Sequence, residues 1–104
     1  MKTISVEELK SRRDKGEDIR LLDVREPIEN AEFNIGGFLL PVGKIQSMQI
    51  EDIENWKEDE LICYCRSGNR SGQGCLILEM AGFKNVKNLA GGMLAWQDKF
   101  GNSQ

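Results

Sequence analysis

The sequence contains no histidine. That absence removes every Cys–His or Ser–His catalytic pair, and every histidine-bearing metal site, from the chemistry the chain can supply alone. Cysteine is scarce, at three residues, an odd number that cannot form a closed set of disulfides. The opening residues, Met1-Lys2-Thr3-Ile4-Ser5-Val6-Glu7, hold no apolar core of signal-peptide length. Reduced thiols in a cytoplasmic protein are therefore expected. Long hydrophobic runs are also missing: a stretch such as Leu61–Cys65 is far too short to span a bilayer, so no membrane partner is expected. There is no excess of basic charge, with 14 Lys and Arg against 17 Asp and Glu. Nucleic acid, which is usually met by a basic surface, is not an expected partner. A local positive site for a small anion remains open.

What is present suits one small domain. A chain of 104 residues can bury roughly two-thirds of its unfolded surface and fold without disulfide or metal staples. No repeat, low-complexity segment or linker interrupts it. A single domain over residues 1–100 is expected, with 101–104 as a frayed tail.

Ser5 and Glu8 have the spacing of a helix-opening capping box, and Gly16 can close the charged helix that follows. Ile19–Val24 reads as a buried strand, and Pro27 suits the first turn of a short helix reaching Phe33. Phe38-Leu39-Leu40 is a second apolar run, stopped by Pro41. Ile45, Met48, Ile53 and Trp56 recur at helical spacing, as one broken helix or two short ones. Leu61–Cys65 fits an interior parallel strand. A helix is expected from about Asn69 to Met80, then a weak strand at 86–89 and a last helix opened by Gly91-Gly92. Strands alternating with helices define an α/β domain with a largely parallel sheet.

In such sheets ligands sit beyond the carboxyl ends of the strands. Cys65 ends the clearest strand, and Arg66-Ser67-Gly68-Asn69-Arg70-Ser71 leads straight into a helix. Backbone N–H groups and the positive helix end would converge on that loop. A thiolate is stabilised there without histidine, since helix N-termini and arginines lower a cysteine's pKa. Gly68 permits φ > 0 inside the curl. Arg66 and Arg70 can meet an anionic substrate, Arg70 being the better placed to point inward, and Ser67 and Ser71 offer hydroxyls. The competing reading is a buried structural thiol followed by a polar turn.

Four segments carry a family resemblance. Tyr64-Cys65-Arg66-Ser67-Gly68-Asn69-Arg70-Ser71 resembles the active-site loop of the rhodanese family, and Leu22-Asp23-Val24-Arg25-Glu26 resembles its first strand-end motif. Ala81-Gly82-Phe83 is in character, and Leu89-Ala90-Gly91-Gly92-Met93-Leu94-Ala95-Trp96 resembles its C-terminal signature. The likeness implies a rhodanese-like α/β fold, a mostly parallel five-stranded sheet flanked by helices on both faces. It implies a sulfurtransferase that takes a sulfane sulfur from thiosulfate or a similar anionic donor as a Cys65 persulfide. The sulfur then passes to cyanide or a thiol, with no cofactor. The alternative is a persulfide carrier or sensor that serves a sulfur-accepting protein and turns over small donors poorly. Cysteine phosphatases sharing this fold place five residues between cysteine and arginine, whereas Cys65 and Arg70 are separated by four. The family's His-Ile-Pro-Gly-Ala segment is replaced here by Asn34-Ile35-Gly36-Gly37-Phe38.

Cys63, on the same strand face as Cys65, is expected to fill core. Cys75 lies too far along its helix for a disulfide to Cys65, and three cysteines without histidine fit no zinc spacing, so no metal is expected. Asp23 and Arg25 are expected to support the site, Arg25 by pairing with a carboxylate and Asp23 by holding loops in place; direct catalysis by Asp23 is the lesser alternative. Trp56 and Trp96 are expected in the core, and the charges of 10–18 on a solvated face.

Overall fold

The strand leading to Cys65 organises the molecule, because its side chains alternate between two separate cores. In the computed structural model, which describes residues 1–104, Leu61, Cys63 and Cys65 belong to one buried cluster and Ile62 and Tyr64 to the other. This strand, β4 (Glu60–Tyr64), lies at the centre of a five-stranded sheet. The others are β1 (Lys2–Ile4), β2 (Arg20–Asp23), β3 (Phe38–Leu39) and β5 (Asn85–Leu89), in the order β1-β5-β4-β2-β3. Every pairing is parallel. All connections must therefore cross over the sheet, and helices supply the cover for both faces.

Helices α1 (Val6–Asp14) and α5 (Gly92–Phe100) bring Val6, Leu9, Met93 and Trp96 to the face shared by Ile62 and Tyr64. On the opposite face Ile45 from α3 (Val42–Gln46), Ile53 from a 3₁₀ segment (Glu51–Trp56), and Cys75 and Leu78 from α4 (Asn69–Met80) pack with Leu22, Leu61 and Cys63. The short α2 (Pro27–Glu32) buries no residue. It opens with Pro27, whose missing N–H costs nothing at that position. No helix is long and apolar enough to cross a membrane.

Several expectations are adjusted. The apolar pattern marks four strands; the fifth, β1, has three residues with only Ile4 buried, so it carries no readable alternation. It is an edge strand, held by β5 through the register Thr3↔Asn88 and Ile4↔Leu89. The 44–56 region resolves into two short elements. β4 ends at Tyr64, so Cys65 is the first residue beyond the strand rather than its last. Residues 101–104 are exposed, yet the Ser103 carbonyl accepts a 2.7 Å hydrogen bond from the Trp96 indole.

The segment that departs from the family pattern is held by side chains instead of a proline. Asn34 accepts from the Gly36 N–H at 2.8 Å, a side-chain-closed turn, and donates to the Asn30 carbonyl at 2.9 Å. The Gly36 carbonyl takes the Tyr64 hydroxyl at 2.8 Å, and the Ile35 carbonyl takes Arg13 at 2.6 Å.

At the amino end of the sheet, Glu60 pairs with Arg12 and with Lys87. The Arg12 guanidinium outweighs partial burial, and with Lys87 holds the Glu60 carboxyl at about 2. A carboxyl lowered in the folded state adds stability that is complete above its unfolded value, about 4.5, and lost as pH falls through its folded value, about 2. Glu60→Gln should lower the melting temperature at pH 7 and flatten its further fall between pH 4.5 and 2. Parallel acid profiles for variant and wild type, followed by circular dichroism, would show that the network contributes nothing.

Candidate active site

The loop after β4 is curled because its carbonyls are taken from one side. The first turn of α5 donates to them: Met93 N–H to the Cys65 carbonyl at 2.9 Å, and Leu94 N–H to the Arg66 carbonyl at 3.0 Å. Contact this close requires glycine at 92. A Cβ there would lie 2.4 Å from the Cys65 carbonyl oxygen, and its φ of +56° is in the left-handed region. With the carbonyls turned toward α5, the loop amides face inward.

Those amides meet the Cys65 sulfur. Gly68 N–H donates to Sγ at 3.1 Å and Ser71 N–H at 3.3 Å, with the Ser71 hydroxyl also 3.3 Å away. Gly68, at φ +103°, makes the left-handed step that lets α4 begin at Asn69 with its positive end toward the sulfur. Burial of the thiol works against ionisation. The Ser71 hydroxyl and the amides of Ser71, Gly68 and Ser67 outweigh it, so the Cys65 pKa lies below that of an ordinary thiol. Cys65 is only 1% exposed, so a reagent must reach it along the rim of the curl.

Asn88, at the end of β5, ties the curl together and was not singled out by its sequence context. Its Nδ2 donates to the Gly68 carbonyl at 3.0 Å, and its Oδ1 accepts from the Ser71 hydroxyl at 2.5 Å. The Ser71 hydroxyl has one proton and two acceptors, Asn88 Oδ1 and Sγ; the two amides face no such competition. A single buried asparagine in a weak strand leaves no periodic mark, so only its partners reveal it.

Asp23 and Arg25 form a buried pair, with Nε to Oδ1 and Nη2 to Oδ2 both at 2.9 Å. Asp23 also accepts from the Arg25 N–H and from Asn30, and Arg25 reaches the Phe33 carbonyl at 2.6 Å. All the side-chain hydrogen bonds of Asp23 thus go to the segment after β2 and none to the Cys65 loop, the arrangement of a brace. Cys63 and Cys75 are fully buried and unbridged. A hydrogen bond with Cys75, together with burial, pushes the Cys63 thiol well up, which leaves it inert.

The arginines differ from expectation. Arg70 is not free for an anion: its two terminal nitrogens grip both oxygens of Glu29, at 2.7 and 2.9 Å. Arg70 prevails over partial burial and holds the Glu29 carboxyl at about 2, so this carboxylate stays charged throughout the neutral range. Glu29 also accepts from the Glu26 N–H at 3.0 Å, which fixes it at the start of α2. In sequence it resembles any solvated helix glutamate. Arg66, Ser67 and Asn69 are exposed on the rim. Arg66 borders a cleft of about 160 Å³ shared with Arg25, Glu29, Glu32, Met93 and Leu94.

A parallel α/β sheet with a lowered-pKa cysteine, cradled by amides at the carboxyl end of its central strand, is the arrangement of a nucleophilic-cysteine site. The rhodanese-like domain family matches residues 5–99, and the chain belongs to that family. A mitochondrial protein of Schizosaccharomyces pombe, provisionally named a thiosulfate sulfurtransferase, is 42% identical over 90 residues, which cover 76% of this chain. The match spans 63% of that relative's length. A protein of Allochromatium vinosum named sulfurtransferase is 39% identical over 94 residues, 89% of this chain and 85% of that one. The human single-domain sulfurtransferase TSTD1 superposes with a TM-score of 0.79 at 31% identity, covering 95% of this chain and 97% of that one.

Ser71→Ala should raise the pH midpoint of Cys65 alkylation by iodoacetamide while the remaining amides keep it below that of a free thiol. Cys63→Ala should leave the midpoint in place. An unmoved midpoint in Ser71→Ala would mean that the serine proton stays on Asn88 and the amides act alone.

Proposed function

We propose that the protein is a sulfurtransferase that carries sulfane sulfur as a persulfide on Cys65. The observation that supports this most is the convergence of amide and hydroxyl donors on one buried sulfur with no base beside it. Such a cradle suits a nucleophile that is already ionised and stays anionic after gaining a sulfur atom.

In the first step the Cys65 thiolate attacks the outer sulfur of thiosulfate. The new S–S bond forms as the old one breaks, and sulfite leaves with the bonding pair. In the second step cyanide or a thiolate attacks the terminal persulfide sulfur, and Cys65 departs as thiolate. Neither step needs an external oxidant, and no proton has to be held by an enzyme base. Gly68 and Ser71 would stabilise the thiolate and persulfide through their amides, and Arg66 would meet the donor's oxygens. Arg70 and Asn69 would shape the loop, and Asp23 and Arg25 would brace the neighbouring segment. Thiosulfate as donor is supported by the name of the fission-yeast relative. Three free cysteines suit a reducing, cytoplasmic setting.

A second reading is a carrier or sensor that hands its persulfide to a partner protein. The slight exposure of Cys65 favours it, because small acceptors would reach the sulfur slowly.

Thiosulfate should add one sulfur atom to the intact mass, and cyanide should remove it. Cys65→Ala should abolish the adduct, while Cys63→Ala and Cys75→Ala should retain it. An adduct that persists in Cys65→Ala would sink the assignment. Ready loading with negligible steady-state thiocyanate production would select the carrier.

A further inference from the structure

We infer that Glu29 is a specificity-determining residue: by holding Arg70 in a two-pronged ion pair, it sets the site for sulfane donors with one negative charge over doubly charged thiosulfate. The inference rests on the persulfide reading above and concerns which donors load it best.

The case is a count of available cations. Three guanidinium groups lie on the Cys65 loop, at the start of α4 or in the cleft that Arg66 borders. That of Arg25 is committed to Asp23 and the Phe33 carbonyl. That of Arg70 is committed to both oxygens of Glu29. Only Arg66 is exposed and without an ion pair. Glu32, which has no ion pair, lines the same cleft and opposes its charge. An incoming anion therefore meets about one uncompensated positive charge, the unpaired carboxylates of Glu32 and, near Arg70, Glu26, and the Cys65 thiolate. Repulsion grows with donor charge, so a monoanion meets roughly half the penalty of a dianion at the same distance. The Arg70 pair is only about one-third exposed on its arginine side, so bulk water does not erase the effect.

Glu29 is well fixed for this role. Its Oε1 accepts from both the Glu26 N–H and Arg70 and its Oε2 from Arg70, and it does not lose its charge near neutrality. A neutral residue there would release the Arg70 charge toward the donor.

The test uses thiosulfate and methanethiosulfonate, two donors with the same reacting sulfur that differ in charge by one. In each, the Cys65 thiolate bonds to the terminal sulfur while the sulfur–sulfonyl bond breaks, releasing sulfite from one and methanesulfinate from the other. The readout is the ratio of second-order loading rates, thiosulfate over methanethiosulfonate, followed by intact mass. Glu29→Gln, which keeps an acceptor for Glu26, should raise this ratio roughly fivefold, the scale of one partly exposed charge interaction. Arg70→Gln should lower it, and the double variant should return near the wild-type ratio, because the pair leaves together. Glu32→Gln should shift it less, since it frees no arginine. Added salt should shrink all these differences.

A ratio unmoved in Glu29→Gln, or a double variant as impaired as Arg70→Gln alone, would overturn the inference; the latter would mean that Arg70 grips donors despite its partner. An equal shift in Glu32→Gln would also overturn it, reducing the effect to net charge. If Glu29→Gln fails to fold with Arg70 left unpaired, the comparison of the double variant with Arg70→Gln still decides: recovery of the ratio upholds the inference and its absence overturns it. If neither donor loads the wild type, the sulfur-transfer reading itself falls, a distinct result from loading with an insensitive ratio.

Discussion

The hydrogen bonds from Met93 and Leu94 to the carbonyls of Cys65 and Arg66 are the constraint on which the site depends. A loop of six residues has as many carbonyls as amides, and both cannot face the same sulfur. By taking two carbonyls outward, the first turn of α5 leaves the amides of Gly68 and Ser71 to face inward. This also explains Gly92, since the approach leaves no space for a side chain there. Asn88 completes the arrangement from β5, so the cradle is assembled from three elements distant in the chain.

The absence of histidine then becomes intelligible as chemistry. Covalent catalysis by cysteine often relies on a neighbouring base to create the thiolate. Here fixed dipoles face the sulfur instead: they need no proton of their own, and under the proposed reaction their field would be unchanged on going from thiolate to persulfide. The cost is burial, which opposes ionisation and restricts access. The charged side chains nearby are largely paired, Asp23 with Arg25 and Glu29 with Arg70. The Ser71 hydroxyl and the backbone amides of Ser71, Gly68 and Ser67 consequently provide the stabilisation at the sulfur, with no charged side chain among its hydrogen-bond partners.

Much of this was legible in the residues. The run Leu61–Cys65 marked the central strand because a buried parallel strand must be apolar on both faces. The polar loop after it, ending in a helix, marked the site because ligands gather at carboxyl strand ends. Cys63 was read correctly as core for a simple reason, the two-residue repeat that puts it on the face of Cys65. β1 was not legible, because three residues at a sheet edge with one buried side chain have no period to detect. The apolar pattern overshoots the end of β4 by one residue, since Cys65 is as apolar as its neighbours although its backbone has already left the sheet.

The amino-acid sequence by itself determined the class of fold, the position of the candidate cysteine and the family, because these follow from local patterns: apolar periodicity, a loop of fixed length and contiguous motifs. Only the tertiary structure decided the partners of the charged and polar residues. Whether Arg70 meets an anion or a glutamate, and whether Asn88 is a surface amide or a clamp, depends on what another segment brings within about 3 Å. Hydrogen bonds and ion pairs act over that short range, and chain positions 41 residues apart, such as Glu29 and Arg70, become neighbours only once the sheet has formed.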